Sequence, residues 1–277
     1  MERTYSLAYL TVHGCPPPEM IHIAARTGYD YVSLRPIPLN LPGEVGYLPE
    51  DREMIKKTRA AMKETGIGVL DLELARIVEG VEPRSYAPAM EVMAGLGAKH
   101  VISSAWTKRT DDRDFIVDRF AEICDLAHGF GLTVNLEFPT FSRLTNLQEA
   151  ADIVRAADRP NGGILIDTLY HHFSRVSLDE IRQLPDSWIN FLHLCDAPRD
   201  IPPDREGMIR VARDERLYCG EGCIDFSELL GCLPPVPCSI ELPNARRLQE
   251  LGYEGHARRC LEAAKQQLGH GGDKVLG

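Results

Sequence analysis

Short apolar runs alternate with amphipathic segments along almost the whole chain. The runs at 6–10, 29–34, 67–74, 100–104, 132–136, 163–166, 189–192 and 237–240 read as strands. Between and after them, 3.6-residue spacing predicts helices over 19–27, 50–65, 84–95, 114–130, 146–157, 178–184 and 255–268, with a short helix that Asp225 or Ser227 can cap before the eighth strand. Gly28, Gly66 and Gly131 follow three of these helices, where a left-handed closing residue is wanted. The strand runs are mostly continuous rather than alternating, as in parallel strands covered on both faces. Eight strand–helix repeats in 277 residues predict an α/β chain folded as one (β/α)8 barrel, which typically needs about 250 residues. No linker divides the chain, so a single domain over 1–277 is expected, with 269–277 as a frayed tail. Residues 36–49 hold four prolines and two glycines and read as a long loop. Residues 197–217 read as a polar, proline-bearing insertion after the seventh strand.

Composition narrows the classes of partner. The chain is 44% hydrophobic and 26% charged, an ordinary globular balance. Its formal net charge of -10 works against nonspecific nucleic-acid binding, which depends on Lys and Arg facing phosphate. No apolar run approaches the ~18 residues of a membrane span. The eight cysteines are scattered without a C-x2-C pair, and the first residues lack the apolar segment of a secretion signal. Reduced thiols and a cytoplasmic location are therefore expected. Cys219 and Cys223 bracket a GEG turn without a second ligand pair, so they read as loop thiols rather than a zinc site. The expected partner is a small molecule, with neither nucleic acid nor membrane; self-association into a homo-oligomer is permitted.

The candidate chemistry lies at strand ends. Glu137, Asp167, His193 and Glu241 stand at the carboxyl ends of the last four predicted strands. In a barrel those ends converge on one mouth, so residues far apart in sequence point into one small volume. Taken singly, each has an ordinary explanation: a loop carboxylate, a turn cap, a core histidine. Together, three carboxylates would repel one another unless protons or a cation intervened. Three oxygen donors and one imidazole suit one divalent metal ion, Mn, Mg, Co or Zn, with positions left for substrate oxygens. Arg35 and Glu73 end the second and third strands and aim at the same mouth. Glu73 has a competing reading as a carboxylate paired with a neighbour such as Arg76. His13 follows the first strand and could line the pocket. Lys108, Arg109 and Arg143 lie on loops at this face and read as solvated charges.

Several stretches resemble the sugar phosphate isomerase/epimerase family, the xylose isomerase-like TIM barrels. They are LEF at 136–138, IDTLYHH at 166–172, HLCDAPR at 193–199, GEG at 220–222 and IELP at 240–243. The resemblance extends over nearly the whole chain and is specific for fold and metal, weak for substrate. It implies metal ligation by Glu137, Asp167, His193 and Glu241, with Glu137 and Glu241 also exchanging the substrate's α proton. It implies that Arg199 faces substrate oxygens. A substrate-contacting histidine is expected three residues after the strand-six aspartate; Tyr170 stands there, and His171 is the nearest substitute. The implied function is a divalent-metal-dependent isomerase or epimerase acting on a keto sugar or related polyhydroxy carbonyl compound. The alternatives on the same scaffold are a dehydratase of the inosose or 3-dehydroshikimate type, an apurinic endonuclease and a noncatalytic sugar-binding barrel. The acidic charge balance and the single strand-end histidine count against the endonuclease.

Overall fold

The computed structural model describes residues 3–39, 46–47, 49–108 and 111–269. Its strands are β1 (Tyr5–Leu7), β2 (Tyr31–Leu34), β3 (Gly68–Ile77), β4 (His100–Ala105), β5 (Thr133–Glu137), β6 (Gly162–Ile164), β7 (Ile166–Asp167), β8 (Leu192–Leu194) and β9 (Cys238–Ile240). They form one sheet in the order β6-β5-β4-β3-β2-β1-β9-β8-β7, and every pairing is parallel. The two ends of that order, β6 and β7, are adjacent in the chain and flank Leu165, whose amide donates to the Leu136 carbonyl at 3.1 Å. They are two halves of one stave, one paired to β5 and the other to β8. The wall is therefore a nearly closed barrel of eight staves with helices around it, a single (β/α)8 domain.

Most of the alternating elements lie where hydrophobic spacing places them, because buried parallel strands and amphipathic helices have different periods. Gly28 and Gly66 close their helices in the left-handed region, at φ 92° and 78°, which only glycine enters without cost. Three local differences matter for the site. The first apolar run is extended only over Tyr5–Leu7; Tyr9–Val12 then coils into a buried 3₁₀ turn. Thr11 ties that turn over the end of β9, donating to Ile240 O at 2.7 Å and accepting from the Leu242 amide at 2.8 Å. The insertion is not merely loop: it contains the helix Arg205–Asp214, capped by Asp204, which buries Val211 and Ala212. The closing helix begins earlier than its spacing suggests, at Ala245, and kinks at Gly252. The tail 270–277 and much of the 36–49 loop lie outside the described residues.

Apolar packing is divided in two. The main core fills the space between barrel and helices. A second cluster, Leu70, Ile102, Leu165 and Phe191 with Tyr31 and Leu74 against it, plugs the barrel itself. The rest of the interior wall is polar. Ser6, Ser33, Asp71 and Ser239 are fully buried there. A register slip between β2 and β3 sets Ser33 beside Asp71.

Candidate metal centre

Glu137 is the last residue of β5 and Asp167 the last of β7; Glu241 follows β9 directly. His193 lies inside β8, between Leu192 and Leu194, rather than past its end. Asp167 also caps the helix Thr168–Phe173: its Oδ1 accepts from the Leu169 amide at 2.7 Å and the Tyr170 amide at 3.4 Å. That engagement turns Oδ2 toward the mouth. The four side chains are buried, and one ligand atom from each lies within 4.8 Å of the others.

The geometry is that of donors sharing a centre rather than bonding one another. His193 Nδ1 stands 3.3 Å from Glu137 Oε1, 3.4 Å from Glu241 Oε2 and 3.9 Å from Asp167 Oδ2. Yet His193 Nδ1 and Glu137 Oε1 are buried with no hydrogen-bond partner. Buried polar atoms are seldom left so, and a cation accepting both would satisfy them. The donor set of three carboxylate oxygens and one imidazole fits a divalent ion.

Arg216 is the residue that sequence reasoning missed. It is 1% exposed, and its guanidinium reaches Asp167 Oδ2 at 2.7 Å and Glu241 Oε2 at 2.8 Å. It also donates to the carbonyls of Ala212 at 2.9 Å and Glu241 at 3.1 Å. Its backbone is pinned: the Arg216 amide donates to Pro243 O at 3.2 Å, and Leu217 bridges antiparallel to Asp196. One guanidinium therefore offsets part of the charge of three clustered carboxylates, and a divalent ion would balance the rest. Nothing in the stretch DERLYCGEG marks this arginine as buried, because its partners come from two other strands.

These charges set the protonation balance. Burial pushes Glu137 up to about 7, against the pull of His193 and with the push of Glu241. Burial also raises Asp167, against the charge of Arg216. For Glu241 burial works upward but is outweighed by His193 and Arg216, which hold it below the usual carboxylate range. Burial would lower His193, but Glu241 and Glu137 drive it well above its ordinary value. Metal ligation needs a neutral imidazole nitrogen, so loading the site would release that proton.

The cluster opens on a cavity of about 390 Å³, within the usual range for small-molecule sites. Glu137, His193 and Glu241 line it, with Arg35 and Glu73 on one wall and Trp106, Phe141 and Tyr170 among its apolar surfaces. His13 lines it too. Glu73 pairs with Arg35 rather than Arg76, at 2.5 and 3.1 Å, and the register of β2 with β3 makes them neighbours. His171 and Arg199 do not line this cavity. They lie in a separate surface depression with His172 and Arg175. The reason is helical rotation: Asp167 starts a helix at once, so Tyr170 faces the mouth and His171, about 100° further round, faces away. Arg199 is exposed beyond β8. Arg143 is not merely solvated, for it is paired at 2.9 Å with the buried carboxylate of Asp112. Arg109 lies outside the described residues.

The HLCD and GEG stretches have a structural explanation. Asp196 accepts four amides, those of Gly220 and Gly222 at 2.9 Å, Ala197 at 2.8 Å and Ile224 at 3.1 Å. It clamps the GEG turn beside the mouth. All eight cysteines are free thiols, and among the described residues no helix is long and apolar enough to cross a membrane.

Several relatives of this chain are enzymes. An inosose isomerase of Bacillus subtilis (strain 168) is 24% identical over 185 residues, 64% of each chain; the chain thus spans a little under two thirds of that relative. A 3-dehydroshikimate dehydratase of Pseudomonas aeruginosa is 31% identical over 141 residues, 47% of this chain and 20% of the relative. Among solved structures, the IOLI protein with a binding zinc atom superposes with a TM-score of 0.80 at 19% identity, covering 98% of this chain and 99% of that one. A D-allulose 3-epimerase from Methylomonas sp., in complex with D-allulose, gives 0.70 at 18% identity over 96% and 97%. At such identities the structures speak for the fold alone. The model of the xylose isomerase-like TIM barrel matches residues 21–263, most of the chain, and the chain belongs to that family.

Proposed function

We propose that this protein is a divalent-metal-dependent isomerase or epimerase that moves a proton next to a carbonyl on a keto sugar or related polyhydroxy compound. One observation carries the reading: Glu137, Asp167, His193 and Glu241 bring four ligand atoms within 4.8 Å at the floor of a sugar-sized cavity. Asp167 and His193 would hold the ion, and Glu137 and Glu241 would each lend one oxygen to it and keep one for the substrate. When bound, the ion polarises the carbonyl and offsets the charge that develops on its oxygen. The proton chemistry belongs to the two glutamates. In the metal-free cluster burial pushes Glu137 up to about 7 while His193 and Arg216 hold Glu241 below the usual carboxylate range, so the two carboxyls sit in different environments, as acid and base partners require. The Arg35–Glu73 pair and His13 offer charged and polar groups to substrate hydroxyls, while Trp106, Phe141 and Tyr170 exclude water from the carbon skeleton. Arg216 keeps the two carboxylates it bridges from repelling.

The test is solvent deuterium exchange over a panel of keto sugars, inososes and dehydroshikimate. Exchange should be found with at least one of them. Glu137→Gln or Glu241→Gln should then slow it by about 10²–10⁴-fold with the metal still bound. Near-native exchange in both variants would refute the paired-carboxylate reading. The Pseudomonas aeruginosa relative favours a second outcome, dehydration. It would replace the first if the wild-type protein released water and formed an enone or aromatic product.

A further inference from the structure

His193 presents Nδ1 to the three carboxylates at 3.3–3.9 Å, and its other nitrogen therefore carries the hydrogen when Nδ1 binds a metal. That nitrogen, Nε2, is buried and has no hydrogen-bond partner. Metal-ligating histidines nearly always donate this second N–H to a carboxylate, carbonyl or water, which fixes the ring. Among the other buried atoms with the same lack are three on the interior wall of the barrel, Asp71 Oδ1, Ser6 Oγ and Ser239 Oγ. Their placement is not scattered. Ser6, Ser239 and His193 stand in register on β1, β9 and β8 and so point to one face of the sheet. Asp71 stands on β3, four staves from β8 by either route round the barrel and so directly opposite it. Ser33, beside Asp71 in register, donates to the carboxylate's other oxygen, Oδ2. This leaves Oδ1 for a different partner.

Resting on the metal reading above, we propose that Asp71 is the positioning carboxylate of the metal centre, holding His193 Nε2–H across the barrel through a buried network that includes the hydroxyls of Ser6 and Ser239 and ordered water. One hydrogen at Nε2 then has an acceptor, and four orphaned polar atoms are satisfied together. Water suits the space because the site is polar and each molecule needs two to four such partners. Asp71 touches neither ion nor substrate. It fixes the tautomer and tilt of the ring that does.

The experiment uses the full apo chain with Co2+ as probe, read by chelator competition and by the visible spectrum of the bound ion. Wild type should bind one Co2+ and His193→Ala should lose it; failure of either would sink the metal reading itself. Given that binding, Asp71→Leu should weaken Co2+ by about 10–100-fold and shift its spectrum, with the apo fold intact by circular dichroism. Asp71→Asn keeps an oxygen but no charge and should fall between the two. The inference is overturned if Asp71→Leu binds with wild-type affinity and an unchanged spectrum. Should that variant fail to fold, wild-type affinity and spectrum in Asp71→Asn overturn it equally.

Discussion

Replacing Arg216 by methionine would keep an unbranched stem about as far as Nε and remove the charged guanidinium. The guanidinium is 1% exposed and bonded to Asp167 Oδ2 at 2.7 Å and Glu241 Oε2 at 2.8 Å. Without it, two carboxylates stay buried about a site that already holds a third. Breaking a buried ion pair by removing one partner typically costs about 3–5 kcal/mol, because the remaining charge is uncompensated. The lost donors to Ala212 O and Glu241 O belong to the same cost rather than adding a separate one. At about 2–4 °C per kcal/mol for a large domain, the thermal midpoint of the apo protein should fall by roughly 10 °C. Urea unfolding at neutral pH, followed by circular dichroism, would read the free energy directly. Two further arms isolate the cause. Adding Asp167→Asn to Arg216→Met removes one stranded charge, so the double variant should lose less than the sum of the singles, with a coupling of about 1–3 kcal/mol. A divalent ion at a hundred times its dissociation constant should restore about 2.7 kcal/mol, since it brings the positive charge that the arginine took away. A loss under about 1 kcal/mol in Arg216→Met, or strict additivity in the double variant, would refute the view that this arginine compensates the cluster.

Other perturbations have definite expected outcomes. Asp167→Asn with His193→Ala should abolish metal binding while leaving the circular dichroism spectrum unchanged, because the ligands sit at the mouth and not in the main core; one ion per chain in that variant would disprove the ligand set. Asp196→Ala strips the acceptor from four backbone amides and should cost about 4 kcal/mol or more, with amide exchange rising across 218–224. Gly222→Ala should open the same turn, since a Cβ there would overlap the Ala197 carbonyl oxygen and the Asp196 carboxylate; wild-type protection in 218–224 would contradict the clamp. His100, lowered by burial and then by Lys99 from 6.5 to about 4, stays neutral while its unfolded counterpart takes up a proton. Stability should therefore fall as pH drops from 6.5 toward 4, by up to about 3 kcal/mol from this residue. His100→Gln should flatten that fall in urea titrations at pH 7 and 4.5, and an unchanged slope would rule the histidine out.

The alternation of buried runs with amphipathic segments determined the barrel, because a parallel strand covered on both faces and a half-exposed helix need different spacings of apolar residues. The same pattern placed Glu137, Asp167 and Glu241 at strand ends, and β-topology alone then brings them to one mouth. His193 was found by the same logic although it lies within β8, since a barrel strand's inward side chain near the carboxyl end still reaches the mouth. What the pattern could not decide is rotation and partnership. A helix that starts at Asp167 turns Tyr170 inward and His171 outward, a matter of 100° that spacing does not reveal. The helix Arg205–Asp214 escaped notice because its burial is a narrow stripe, Gly207, Val211 and Ala212, within a polar run. Arg216 escaped because its burial is made by Asp167 and Glu241, 49 and 25 residues away. Asp71 and Glu73 alternate identically in sequence, yet Glu73 meets Arg35 at the mouth while Asp71 meets Ser33 deeper in the barrel. A chain specifies its own local period residue by residue; which charges neutralise one another is settled only when distant strands are brought side by side and water is removed from between them.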